Sequence, residues 1–346
     1  MALKSHFDNP LVEQRELLES KRVSIVDEKS IIKVSGKDRL TWLHAMLSQN
    51  LANLKPGQSA DALLLDANGR IEENIQIIDD GENAWLIVLA EHRDKLLVWF
   101  DQMIFRSKVA VSKVEDLVLV ASFGQPLAGA AISNEQQLVW QDPWMADPIG
   151  SVRYAAVDAP NRRGPWSFFL SLVSKAALDD VLADRLQAGG LALEALRVAA
   201  HRPAQPNEID DKTLPHELDW LSSAVHLSKG CYRGQEAVAK VHNLGHPPRR
   251  LTLLHLDGSG HSLADAGDKI FVSGTDTEVG RITSIGQHFE LGPIALALIG
   301  RNVDENAALF VKTEGGEIAA SQETIVPPTA GAAANMKEKR ANLMGK

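Results

Sequence analysis

Lys229-Gly230-Cys231-Tyr232-Arg233-Gly234-Gln235-Glu236 is the stretch richest in chemistry, and it holds the single cysteine of a 346-residue chain. Two glycines bracket the thiol. They let the backbone come close to a ligand or a neighbouring segment where a Cβ would obstruct it. Lys229 and Arg233 flank the sulfur two residues away on either side. Nearby cations favour the thiolate, which is the nucleophilic and metal-ligating form. A cysteine on such a loop serves as nucleophile, redox group or metal ligand; the plainer reading is a small buried hydrophobe. One thiol excludes an intramolecular disulfide and a cysteine-only metal site, and it fits a reducing compartment.

The surrounding segment, His201–Arg250, is dominated by prolines, charges and glycines with weak periodicity. Irregular stretches of that length are usually functional. Before it, Leu117–Phe123 and Trp166–Leu172 predict strands, Lys175–Gln187 a helix ended by Gly189-Gly190, and Leu191–Ala200 a further helix. After it, Leu251–Leu256, Lys269–Val272, Gly280–Ser284, Ile294–Leu298 and Ala308–Lys312 predict a small antiparallel barrel. The N-terminal part begins with a helix over Pro10–Ser20 and a hairpin of Val23–Val26 with Ile31–Val34. A helix over Asp38–Gln49 follows, with Leu40, Leu43 and Leu47 at helical spacing. Ala60–Leu65 and Ile71–Ile78 form a hairpin across Asn68-Gly69. A strand at Ala84–Ala90 and a helix at Glu91–Ile104 complete it. The expectation is an α+β chain: a mixed α/β unit over 1–115, a middle unit with the motif loop over 116–245, and a β-barrel over 246–326. The Ala-, Lys- and Pro-rich tail 327–346 is expected to be disordered.

On an ideal strand, Ile71, Glu73, Ile75 and Ile77 share one face, and Glu72, Asn74 and Gln76 the other. Glu73 thus interrupts an apolar face. It is either paired, held at a pocket that shifts its pKa, or at a strand edge near solvent. His242 and His246 are four apart, but Gly245 and Pro247-Pro248 break any helix that would co-orient them. Neither a His-Glu-x-x-His motif nor a glycine-rich phosphate loop is present. No permanently bound metal is expected. A net charge of −9 and a pI near 5.7 argue against a global basic surface, so direct nucleic-acid binding is not expected. No run of about 18 apolar residues exists, and Met1–Pro10 has no apolar core. The expectation is a cytoplasmic protein without a membrane partner.

The eight-residue motif resembles the hallmark Lys-Gly-Cys-Tyr-x-Gly-Gln-Glu of the YgfZ family. That family comprises folate-binding relatives of the glycine cleavage system's aminomethyltransferase. Here the motif stands complete, with Arg233 at the variable place. Ala195-Leu196-Arg197-Val198, Arg202-Pro203, Leu214-Pro215-His216-Glu217 and Arg249-Arg250-Leu251 resemble the family's run into and out of it. Gly36-Lys37-Asp38-Arg39 and Leu64–Ile71 resemble its N-terminal landmarks, and Val279–Ser284 its C-terminal domain. The likeness covers roughly residues 20–325.

The resemblance implies an aminomethyltransferase-like ring of three domains around a folate site, with tetrahydrofolate or a one-carbon derivative as cofactor. It implies support for the assembly or repair of iron–sulfur clients, including radical enzymes that thiolate tRNA. It gives Cys231 the role of functional thiol, with Lys229 beside it. Glu72, Glu73, Arg197, Tyr232, Gln235 and Glu236 become folate-binding candidates, and Gly230, Arg233 and Gly234 the motif's backbone. Two departures stand against transferase chemistry. The transferases' Asp-Asp pair is replaced by Glu72-Glu73, whose longer arm displaces a carboxylate that must meet folate's reacting nitrogen. Their folate-gripping Gly-Glu-x-Gly-x-Glu is replaced by Gly-Pro-Trp-Ser-Phe at Gly164–Phe168. His201 also stands where the family leads one to expect glycine. The competing roles are a folate-dependent aminomethyl transferase and a folate-binding redox sensor.

Overall fold

The computed structural model describes residues 4–150, 152–155, 166–259 and 263–332. Helix α1 (Pro10–Leu18) precedes β1 (Arg22–Val26) and β2 (Lys29–Ser35). Then come α2 (Arg39–Met46), β3 (Ser59–Leu65), β4 (Ile71–Asp79), β5 (Asn83–Leu89), α3 (Arg93–Gln102) and β6 (Ala110–Val114). Next are β7 (Leu117–Phe123), β8 (Ile132–Ser133), β9 (Gln136–Gln137), β10 (Val139–Gln141) and β11 (Phe168–Ser174). After these lie α4 (Leu178–Leu182), β12 (Leu186–Gln187), α5 (Gly190–Ala199) and α6 (Gln235–Leu244). The last part is all strand: β13 (Arg249–Leu256), β14 (Lys269–Val272), β15 (Glu278–His288), β16 (Gly292–Gly300), β17 (Leu309–Thr313) and β18 (Gly316–Thr324).

These strands make two five-stranded sheets, β3-β4-β5-β2-β6 and β10-β11-β7-β1-β12, a closed six-stranded barrel, and a small β8-β9 ribbon. The first sheet is covered on both sides, which is why β5 reads as an almost unbroken apolar run. One face packs Ile75, Ile77 and Leu86 against Trp42 and Leu43 of α2 and Phe100 of α3. The other packs Ile78, Trp85 and Ile87 into a core shared with Phe123, Trp140, Phe168 and Trp220. That second core joins the two sheets to the irregular segment and to the barrel strands through Leu251 and Leu296.

Several expectations change. β1 and β2 do not form a hairpin: β1 pairs with β7 and β12, and β2 with β5 and β6. The segment between them crosses from one sheet to the other. Only Leu178–Leu182 of the expected helix 175–187 is helical, because Leu186 and Gln187 pair in parallel with Arg22 and Val23. A ladder partner there outweighs helix propensity. The face assignment on β4 also fails at its start. A register shift between Leu64 and Leu65 leaves Glu72 unmatched, so Ile71 joins one core while Ile75 and Ile77 join the other. Helix α6 lies inside the stretch read as irregular. The tail is docked at its beginning: Ala330 is buried in the main core and its carbonyl receives His246 Nδ1 at 2.8 Å. Residues 333–346, for which disorder was expected, lie outside the described residues.

Candidate functional site

A cavity of about 300 Å³ opens where the two sheets meet α5 and the loop after it. Its walls are Trp140, Trp166, Phe168 and Leu170 on one side, and Asn74 and Gln76 of β4 on the other. Arg197, Arg202 and Gln205 close it from the third direction, and Glu28, Lys29 and Glu194 stand among its polar lining.

A chain of hydrogen bonds runs along this lining. Lys29 Nζ donates to Gln76 Oε1 (3.1 Å), Gln76 Nε2 to Asn74 Oδ1 (2.7 Å), and Asn74 Nδ2 to Asp61 Oδ1 (2.7 Å). Arg202 then bridges Asp61 Oδ2 (2.8 Å) and Asp142 Oδ2 (3.0 Å), and Trp166 Nε1 donates to that same Asp142 oxygen (2.8 Å). Burial pushes the Asp61 carboxyl up, and Arg202 opposes the shift. A buried guanidinium between two carboxylates satisfies all three ions. Burial also pushes the Lys29 ammonium down, against the pull of Glu28, Asp61 and Glu73. Glu28, at the cavity mouth, is raised by burial as well.

Arg197 is in the cavity wall, but its guanidinium is committed. It meets Glu194 at 2.6 Å, Glu208 at 3.0 Å and the hydroxyl of Ser284, on barrel strand β15, at 2.6 Å. Glu72, Glu73, Tyr232, Gln235 and Glu236 are not part of that wall. Glu73 lies just behind it. Its carboxylate is buried against His92 Nδ1 (2.7 Å), and burial raises its pKa against the pull of His92. Gln205 stands between: its Oε1 accepts from Asn74 N (2.8 Å) and its Nε2 donates to Glu72 O (3.2 Å). The side chain thus completes the edge of β4, which pairs with β5 only from Gln76 onward. Glu72 instead pairs with Arg233 at 2.8 Å.

The motif forms a second locus. Lys229 is buried, and its Nζ donates to the carbonyls of His44, Leu47 (2.5 Å) and Gln49 (3.2 Å) at the end of α2. A helix C-terminus favours a cation, while burial lowers the ammonium pKa to about 8. The Lys229 ammonium also lies 4.9 Å from the centre of the Tyr232 ring. Gln235 Nε2 donates to Lys229 O (3.1 Å), which ties the first turn of α6 back to the loop. Glu236 is exposed on that same turn. Cys231 itself is exposed. The two cations expected to favour its thiolate are both engaged elsewhere, Lys229 with carbonyls and Arg233 with Glu72. The two glycines differ. Gly234 has φ +82° and its Cβ would lie 2.5 Å from Asp66 O, whereas a Cβ on Gly230 would meet only His44 Nε2 at 4.0 Å.

Sequence reasoning missed the polar wall of the cavity. A signal existed: Asp61 stands inside an apolar strand, and Asn74 and Gln76 alternate on one face. Of the segment Gly164–Phe168, the first two residues lie outside the described residues, while Trp166 and Phe168 supply an aromatic wall. His242 and His246 do not converge. His242 Nδ1 bonds Tyr154 Oη at 2.8 Å, and His246 turns to Ala330. Among the described residues no group of three or more His, Cys, Asp or Glu is placed to hold a metal, and no helix is long and apolar enough to cross a membrane.

No protein-family model matches the chain. The fold is that of the aminomethyltransferases: the glycine cleavage system aminomethyltransferase T of Bartonella henselae superposes with a TM-score of 0.70 at 20% identity, over 91% of this chain and 88% of that one. In sequence, a putative chloroplastic transferase of Arabidopsis thaliana is 27% identical over 297 residues, 79% of this chain and 65% of the plant protein's length. An aminomethyltransferase of Thermotoga sp. is 26% identical, covering 82% of this chain and 80% of its own. The tRNA-modifying protein YgfZ of Escherichia coli O157:H7 is 26% identical over 259 residues, 71% and 74% of the two chains. Together with the intact motif at 229–236, these likenesses make the chain a YgfZ-like protein on the aminomethyltransferase fold.

Proposed function

We propose that this chain binds a reduced folate in the cavity between the two sheets and uses Cys231 to support the assembly or repair of iron–sulfur proteins, radical enzymes among them. The observation that carries the folate reading is the cavity itself. Trp140, Trp166 and Phe168 offer an aromatic wall to a flat pterin, and polar groups line the opposite side. Ligand sites of this kind are concave, largely apolar, and oriented by a few polar groups. Its volume, about 300 Å³, is at the lower end for such sites. Asn74, Gln76 and Glu28 are the candidate polar contacts, and the ring would exclude water by filling the cavity. Calorimetry with tetrahydrofolate tests this; no heat and no thermal shift at millimolar ligand would sink it.

The exposed thiol on a tied-down loop supports a role toward a partner. Cys231→Ser keeps the size but gives a far weaker nucleophile and metal ligand. The variant is expected to fold and bind folate normally and to fail in restoring iron–sulfur enzyme activities to a strain lacking the gene. Full restoration would refute the thiol's role. Aminomethyl transfer is disfavoured, because Glu73 is turned to His92 behind Gln205, outside the cavity wall.

A further inference from the structure

We propose that the glutamyl tail of the bound folate leaves the first cavity past Lys29 and lies in a second, adjoining cavity along the seam of the two sheets, with Arg93 and Lys175 as its anchors. The inference rests on the folate reading above and adds a second subsite to it. Val26 and Lys29 line both cavities. The second has a volume of about 710 Å³ and exists because β1 and β2 part into different sheets instead of pairing.

A folate is elongated and ends in carboxylates, which need cations. In the first cavity both arginines are already neutralised, Arg197 by Glu194 and Glu208, Arg202 by Asp61 and Asp142. Lys29 is the exception there: among the described residues its ammonium meets only the Gln76 amide. Beyond it stand Ser30, Arg93 and Lys175. Arg93 holds Ser30 Oγ at 3.1 Å and Asp94 at 3.0 Å. Lys175 is exposed, and no carboxylate among the described residues lies within ion-pair distance of its ammonium. Asp27 and Glu115 oppose them; Glu115 is bound to Lys113 at 2.8 Å and also feels Arg93 and Lys175, so a tail carboxylate would compete with it for these cations. Carboxylates added to the tail would enter this net positive seam, and the gain would be screened by salt.

The test is calorimetry on the full chain with tetrahydrofolate carrying one and three glutamates, at low and high salt. The triglutamate is expected to bind five- to tenfold more tightly at low salt, with the preference shrinking at high salt. Lys175→Glu, on an exposed position after β11, is expected to abolish the preference for the triglutamate while the melting temperature stays unchanged. Lys29→Gln is expected to weaken both forms about tenfold. Equal affinities of wild type for the two forms, or a preference that survives Lys175→Glu together with Arg93→Gln, would overturn the second subsite while leaving the folate reading intact. Failure of both forms to bind would overturn the folate reading, and this inference with it.

Discussion

His216 shows how a residue read only as part of a motif carries a titration. It is fully buried in a short 3₁₀ turn, one ring nitrogen bonding Val238 O at 3.1 Å and Nδ1 left without a partner. Burial pushes its pKa down to about 4. Between that value and the ordinary 6.5, the unfolded chain holds a proton that the folded chain does not. Stability therefore rises with pH across this window and is lost as pH falls from 6.5 toward 4, by up to about 3 kcal/mol. His216→Gln keeps a donor for Val238 O and removes the titration. Urea unfolding at pH 7 and 4.5 is expected to show the variant losing about 2–3 kcal/mol less than wild type on acidification; parallel losses would contradict it. His201, also buried, has φ +56°, the left-handed region that glycine adopts without steric cost. Neither burial nor backbone conformation could be read from the residue names alone.

At the scale of elements, the motif is a clamp between α6, the end of α2 and the β3–β4 turn. Gly234 precedes α6 with φ +82°, and a Cβ there would lie 2.5 Å from Asp66 O, while Gly69 in the turn, at φ +76°, would bring a Cβ within 3.1 Å of Ala237. Asp66 accepts hydrogen bonds from Asn68 N and Arg70 N, each at 2.8 Å, and so fixes the turn that Gly234 abuts. Gly234→Ala adds left-handed strain of about 1–2 kcal/mol and a contact with rigid backbone that can only be relieved by parting α6 from the turn. A loss of about 3 kcal/mol or more is expected in denaturant unfolding, with the loop around Cys231 becoming protease-sensitive. Gly230→Ala, having open space, is expected to be near neutral. Equal stabilities of the two variants would show that the clamp is not there. The glycines were visible in the sequence as a pair; only the packing tells them apart.

Across the whole molecule, Arg202 ties segments far apart in the chain. It joins Asp61 of β3 to Asp142 after β10, and its guanidinium lies 5.2 Å from the Trp144 ring. Arg197 does the same between α5, Glu208 and the barrel through Ser284. Arg202→Met would leave two buried carboxylates facing each other without their cation, at a cost of about 3–5 kcal/mol. Thermal unfolding is expected to show a melting point lowered by many degrees and no folate-induced shift. Wild-type stability in this variant would mean that the network is not what holds the cavity open.

By itself the sequence determined the local elements whose signals are local: the Asn68-Gly69 hairpin, the helices α1, α2, α3 and α5, the short glycine-separated strands of the barrel, and the motif that carries the likeness to the YgfZ proteins. Each depends on periodicity or turn chemistry within a dozen residues. The tertiary structure alone decided that β1 leaves β2 for another sheet, that Leu186–Gln187 is strand and not helix, and that the chain from Pro327 to Ala330 packs onto the core. It also decided that Asp61, Asn74, Gln76 and Asp142 meet in one wall while Glu72 and the motif side chains turn away. Strand pairing and ion pairing across more than a hundred residues depend on which surfaces are buried together, and a burial that gathers distant segments leaves no periodic trace in any one of them.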